Sequence, residues 1–164
     1  MSRGSEGGPL SPVPLYVSYG SNMDPARLAA RTGADPARVA ARYAVRLRGF
    51  RLAFAKRNDD GTGFATLLAE HAAEAEGIAY DLTDDELARL DRVEGVPGHY
   101  LRAIVEVIPR AGGPALAAVT YLANPARLAD GLKPPCWYLA HFLAARDLLS
   151  PAWVAWLERV ETAD

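Results

Sequence analysis

Five strand-like runs follow one another between Tyr43 and Leu122, and a single helical stretch interrupts them. Over residues 43–55, Val45 and Leu47 and then Phe50, Leu52 and Phe54 alternate with arginines, with a break near Gly49. That is the period-two pattern of a strand with one buried face. Residues 64–68 and 77–82 read as two further strands, joined by a charged link containing His71, Glu74 and Glu76. Residues 101–108 and 116–122 complete the series, the former rich in β-branched side chains that suit a pleated surface. Residues 15–19 add a sixth strand ahead of them. Strands in this order lack the regular helical crossovers of a doubly wound parallel sheet. The pattern predicts an α+β fold, with a small mixed sheet curled or closed into a β-barrel and flanked by helices.

Helix signals fall mainly at the two ends of the chain. Asp24-Pro25 and Asp35-Pro36 each place an N-cap side chain before a proline at the first helical position. Gly33 limits the first of these helices. Thr83-Asp84-Asp85-Glu86 forms a capping box, after which Leu87 and Leu90 point inward and the helix ends near Glu94-Gly95. Pro134-Pro135 precedes an amphipathic helix over 137–148, and Ser150-Pro151 opens a last one expected to bury Trp153, Trp156 and Leu157. Residues 1–14, rich in Gly, Ser and Pro, read as a disordered tail, and 15–164 as a single domain.

Charge narrows the function classes. The 164 residues carry a net charge of −2, with arginines scattered among acids, which argues against nucleic acid or an anionic membrane as partner. No apolar run approaches the ~20 residues of a membrane span, and the opening lacks the apolar core of a secretory signal. A cytoplasmic location is the expectation. Cys136 is the sole cysteine, so no internal disulfide or thiolate cluster can form, and it reads as packed and inert. His71, His99 and His141 show no metal-ligand spacing, and no metal site is expected.

Two short motifs carry the chemistry. Tyr19-Gly20-Ser21-Asn22-Met23 lies between a strand and a helix. There, successive N–H groups and the positive end of the following helix can cradle an anion. The same residues can also form a plain strand-to-helix turn with Asn22 in a left-handed conformation. It matches no nucleotide-binding fingerprint, and Ser21 is not in a nucleophile elbow. Glu94, in Val93-Glu94-Gly95-Val96-Pro97-Gly98-His99-Tyr100, sits at a helix C-terminus among apolar neighbours. Burial there would raise its pKa and suit a proton shuttle; a surface carboxylate before a capping glycine is the alternative. Asp91 and Glu86 on the same helix read as solvated or capping groups. His99 is close enough in sequence to line a pocket with Glu94.

At these motifs the chain resembles the γ-glutamylcyclotransferase family in its broad sense, AIG2-like proteins included. The matching residues are Tyr19-Gly20-Ser21-Asn22, Glu94-Gly95-Val96 with Tyr100, and Tyr121-Leu122, in an element order running from about 15 to 148. The resemblance implies a small barrel flanked by helices, no metal or organic cofactor, and conversion of a γ-glutamyl compound into 5-oxoproline and a free amine or amino acid. It assigns the catalytic acid-base to Glu94, the substrate loop to Tyr19, Gly20, Ser21 and Asn22, and pocket tyrosines to Tyr100, Tyr121 and Tyr138. A homodimer through the apolar C-terminal helices is consistent with it. The Gly-Ser-Asn-Met loop favours γ-glutamyl amino acids over glutathione or γ-glutamylamines.

The sparse set of groups suits that reaction. The substrate's own α-amine attacks its own γ-carbonyl, and well-oriented intramolecular attack can be worth roughly 7–11 kcal/mol. A free Glu titrates near ~4.3 and an α-amine near ~8, a gap of about 5 kcal/mol that burial of Glu94 would narrow. A barrel that binds a small carboxylate without turning it over is the rival reading. A single-stranded nucleic-acid barrel would need a basic groove with exposed aromatics.

Overall fold

Five strands close into a barrel in the computed structural model, which describes residues 14–164. They are β1 (Leu15–Ser18), β2 (Tyr43–Arg57), β3 (Gly63–Asp81), β4 (Tyr100–Pro109) and β5 (Leu116–Ala123). Around the barrel the order is β1-β3-β2-β4-β5, with antiparallel neighbours throughout except at the seam, where Tyr16 of β1 pairs in parallel with Val119 of β5. The expected α+β fold with a small mixed barrel is the one observed. Val17, Val45, Leu47, Leu67, Ile78 and Val107 are buried along its strands. Closure removes the open sheet edges that invite intermolecular pairing. The expected tail falls almost wholly outside the described residues. Pro14 is the exception: its carbonyl accepts the Leu82 N–H at 3.1 Å.

One strand replaces two of those expected. Residues 64–68 and 77–81 lie at the two ends of the 19-residue β3, with Leu82 just beyond it, and the charged link between them stays in the sheet. The register with β2 slips there: Arg48 pairs with Glu74, but Phe50 pairs with Ala69. Such a bulge absorbs extra residues without ending the strand. Its polar side chains are satisfied on the outer face, Glu70 by Arg51 at 3.1 Å and Glu74 by Arg48 at 3.6 Å. Gly49, at φ 84°, supplies the left-handed backbone at the slip, which is the break seen in the alternation. A second slip, between Ala53 and Lys56, matters for the site below.

The helices are α1 (Pro25–Thr32), α2 (Pro36–Ala40), α3 (Asp84–Val93), α4 (Cys136–Leu143) and α5 (Pro151–Glu158). Asp24 and Asp35 cap the first two, and Gly33 ends α1. The α3 capping box is complete, with Glu86 N–H on Thr83 Oγ1 at 3.1 Å and Thr83 N–H on Glu86 Oε1 at 2.8 Å. Arg38 of α2 reinforces it by gripping both Glu86 oxygens. α4 is shorter than the amphipathic pattern suggested. After Leu143 the main-chain bonds tighten to three-residue spacing, as in Ala145 N–H on Phe142 O and Arg146 N–H on Leu143 O.

Two expectations about side chains at this end are corrected. Cys136 is exposed, not packed, because it is the first residue of α4, where its N–H donates to Asp164 Oδ1 at 2.8 Å. In α5, Leu157 is fully buried but Trp156 remains 36% exposed, one face covered by the Phe54 ring at 6.2 Å. Trp153 is half-buried beside it.

Candidate active site

β1 runs into the loop at Tyr19, and the loop is held from several sides. Ser21–Met23 forms one 3₁₀ turn, closed by Met23 N–H on Gly20 O at 3.0 Å; the left-handed Asn22 turn is not formed. The Tyr80 hydroxyl reaches from β3 to the carbonyls of Asn22 (3.0 Å) and Met23 (3.1 Å). The Tyr19 hydroxyl donates to the Tyr121 carbonyl. Gly20 donates its N–H to Ser18 Oγ at 3.2 Å, so the loop offers fewer open amides than its length suggests. The N–H groups of Ser21 and Asn22 open the turn and have no acceptor within it.

Glu94 enters as the C-cap of α3, its N–H on Leu90 O at 2.8 Å, and Gly95 at φ 70° turns the chain away. Its side chain is 17% exposed, facing the cavity. Asn22 Nδ2 donates to Glu94 Oε2 at 3.2 Å, and Arg31 of α1 lies 3.5 Å from Oε1. Burial pushes the Glu94 carboxyl above its ordinary range, outweighing the pull of Arg31, Arg27 and Asn22. The surface-carboxylate alternative is excluded by this placement. Asn22 is itself 3% exposed, with Nδ2 shared between Glu94 and the Tyr16 hydroxyl at 3.1 Å. Its Oδ1 is buried without a hydrogen-bond partner among the described residues.

The second slip in the β2–β3 pairing explains two of the tyrosines. Ala65 sits between the pairs Ala53–Thr66 and Lys56–Phe64, and its polar groups bond to side chains. Tyr138 Oη accepts the Ala65 N–H at 3.0 Å, and the Tyr100 hydroxyl donates to the Ala65 carbonyl at 2.8 Å. Tyr121 donates to Asp91 Oδ1 at 2.6 Å, and Arg102 Nε reaches the same oxygen at 2.7 Å. Asp91 is therefore a structural acceptor, where a solvated or capping group was expected. The hydroxyl protons of Tyr19, Tyr100 and Tyr121 are engaged in the framework. The Tyr16 and Tyr138 oxygens act as acceptors, from Asn22 Nδ2 and from the Ala65 N–H. Burial raises both pKa values, so each keeps a proton to donate.

All eight sequence-derived candidates, Tyr19, Gly20, Ser21, Asn22, Glu94, Tyr100, Tyr121 and Tyr138, line one cavity of about 220 Å³. Sequence reasoning missed Tyr16, Arg27, Arg31 and Lys56, which line it too, and His99 joins them. Arg27 bonds Ser21 Oγ through Nε at 3.1 Å. Lys56, at 3% exposure, touches Asn58 Oδ1 at 2.8 Å and His99 Nδ1 at 2.6 Å. His141 lies elsewhere, paired with Asp24 at 2.8 Å, and His71 is exposed. Among the described residues no group of three or more His, Cys, Asp or Glu is placed to hold a metal ion, and no helix is long and apolar enough to cross a membrane.

Solved structures share this architecture. One described as a gamma-glutamyl cyclotransferase superposes with a TM-score of 0.77 at 23% identity, covering 92% of this chain and 89% of that one. An uncharacterized protein from Homo sapiens, loc79017, gives 0.76 at 24%, with the same coverage. A cyclotransferase specific to glutathione from yeast gives 0.58 at 12%, covering 88% and 95%. These likenesses define the class of fold, a γ-glutamyl cyclotransferase-like barrel. No curated protein matches the chain. The family model for gamma-glutamyl cyclotransferase, AIG2-like, matches residues 16–139, and the chain belongs to that family.

Proposed function

We propose that the protein is an enzyme that converts a γ-glutamyl amino acid or amine into 5-oxoproline and the free amine. The observation that carries this reading is the buried carboxylate of Glu94 lying 3.2 Å from Asn22 of the strand-to-helix turn. A single acid with a raised pKa facing unbonded main-chain amides is what an internal cyclisation requires, and no protein nucleophile is called for.

The substrate's α-ammonium meets Glu94 and the unpartnered Asn22 Oδ1. Glu94 takes a proton, and the freed amine attacks the γ-carbonyl carbon, forming the ring C–N bond. The N–H groups of Ser21 and Asn22 receive the developing oxyanion, a donation typically worth ~3–4 kcal/mol per group. Glu94 then returns the proton to the departing nitrogen as the oxyanion collapses and the original γ-amide bond breaks, and the second proton of the ring nitrogen passes to the freed amine, leaving the lactam N–H. Because burial lifts its pKa, the carboxyl is a better match to an α-amine near ~8 than a free Glu would be. Tyr138 and Tyr16 supply hydroxyl donors at the cavity wall.

Incubation with γ-glutamyl dipeptides, glutathione and γ-glutamylamines, with mass detection of the cyclic product, tests this. Release of 5-oxoproline by the wild type, and its loss by at least about 10²-fold in Glu94→Gln, is expected. Binding without release would make the protein a carboxylate-binding barrel.

A further inference from the structure

We propose that Lys56 reads a carboxylate on the leaving group, so that the pocket selects substrates releasing an amino acid over those releasing a plain amine. This inference rests on the cyclisation proposed above and narrows its substrate class.

The first observation is charge. The chain carries a net charge of −2, yet the cavity presents Arg27, Arg31 and Lys56 against Glu94. Arg31 pairs with Glu94, and Arg27 bonds Ser21 on the loop. Both belong to the end of the pocket that would take the glutamyl head. Lys56 comes from another wall, at the end of β2, and among the described residues no carboxylate lies within hydrogen-bonding distance of it.

The second observation is what surrounds that ammonium. It is buried over the rings of Tyr100 (5.3 Å) and Phe64 (5.8 Å), beside a neutral amide and the His99 imidazole. An ammonium has three N–H donors, and the two contacts leave one free. The neighbouring acid, Asp59, is taken by Arg127 at 2.7 Å. A cation buried without an anionic partner is costly, and a ligand carboxylate would offset that cost.

The charges then match one ligand class. A γ-glutamyl amino acid has an α-ammonium and two carboxylates; a γ-glutamyl amine has only the carboxylate of the head. Glu94 and Asn22 Oδ1 suit the ammonium, Arg27 with the Ser21 side of the loop suits the first carboxylate, and Lys56 remains for the second. The groups facing Lys56 are Asn58, His99, Asp59, Arg57 and Arg127, with Glu94 across the pocket. Burial first, and Arg127 next, bring the Lys56 pKa down to about 8. The same burial keeps His99 below its usual range, so it is neutral where Lys56 titrates.

The test compares γ-glutamyl-alanine with γ-glutamyl-ethylamine, which differ only by that carboxylate. In the wild type at pH 7, kcat/KM should favour the alanine compound by about 10- to 100-fold, the range of a charge-assisted contact. Lys56→Met should bring the ratio to within about 3-fold of unity, acting chiefly on the alanine compound. Because a buried lysine can also matter for folding, the wild-type ratio is measured from pH 6.5 to 9.5 as well. It should fall as pH rises through and beyond 8, since Glu94 and the glutamyl amine are common to both substrates and cancel. A wild-type ratio near unity, or one unaltered in folded Lys56→Met, overturns the proposal. If neither compound yields 5-oxoproline, the cyclisation reading fails separately, and calorimetry with the same two ligands decides: equal affinities overturn the role of Lys56, and a 10- to 100-fold preference lost in Lys56→Met sustains it.

Discussion

The Asn22 amide donates to Glu94 Oε2 at 3.2 Å, joining two residues 72 positions apart in the chain. The contact ties the loop after β1 to the C-terminus of α3, so the two motifs of the sequence meet at one hydrogen bond. Tyr16 holds the same amide nitrogen at 3.1 Å, and Tyr80 holds the Asn22 carbonyl at 3.0 Å. Asn22 is thus fixed at three points while its buried Oδ1 is left without a partner among the described residues.

Asn22→Leu keeps the volume and removes both the donor to Glu94 and the open acceptor. Losing a hydrogen bond to the charged form lifts the Glu94 pKa further. The acid limb of the kcat/KM profile for 5-oxoproline release should move to higher pH, with a fall of about 10²–10³-fold at the optimum. Asn22→Asp should shift the limb the same way, through repulsion between two carboxylates. An unmoved limb in both variants would separate Asn22 from the Glu94 titration.

Glu94 should also cost the unliganded protein stability. Its folded pKa lies above the ordinary 4.5, so the native state binds the proton more tightly than the unfolded chain. Stability then falls as pH rises from about 4.5 through the raised folded value, and the loss is complete above it. Glu94→Gln should melt higher than the wild type at pH 7, because the amide carries no charge to bury. The difference should close below pH ~4, where both side chains are neutral. Thermal melts across that range check the sign.

Gly20→Ala and Gly20→Val should part company. A Cβ at Gly20 would sit 3.5 Å from the Tyr138 hydroxyl and the Phe142 ring, which is ordinary contact. Alanine should keep the fold and most of the affinity. The extra methyls of valine have to displace Tyr138 or enter the cavity, and overpacking of this kind costs about 1–3 kcal/mol. Calorimetry with a γ-glutamyl ligand should show weakening of about 10-fold or more for valine alone.

How much of this was legible follows from which signals are local. Glu94 and the loop could be read because a capping box, a C-capping glycine and a strand-to-helix turn are short-range patterns. That the two meet depends on barrel closure, which no local pattern encodes. Lys56 was missed because the slip between Ala53 and Lys56 puts it on the face of Ala53 and not on that of Leu52, and no local pattern announces that slip. Arg27 and Arg31 stand four residues apart on α1, a spacing that puts both on one side, but which side is settled only by packing. The division of β3 into two strands came from reading charge as a loop, when the bulge lets those charges face solvent within the sheet. Cys136 was read from its apolar character and Trp156 from helical spacing, whereas helix-start position and a single covering ring decide their exposure.

Tyr138 and Tyr100 grip opposite polar groups of Ala65, and their losses should differ. In Tyr138→Phe the buried Ala65 N–H loses its acceptor at 3.0 Å, and an orphaned buried donor costs about 1–3 kcal/mol. In Tyr100→Phe the Ala65 carbonyl loses a donor at 2.8 Å, and under-satisfied carbonyls are better tolerated than orphaned N–H groups. Tyr138→Phe should therefore lower Tm by several degrees and Tyr100→Phe by less. Tyr138→Phe also deletes a proton donor facing the cavity, so its kcat/KM should fall more than its Tm alone accounts for. Equal melting losses, with turnover untouched in both, would reduce the two tyrosines to interchangeable wall residues.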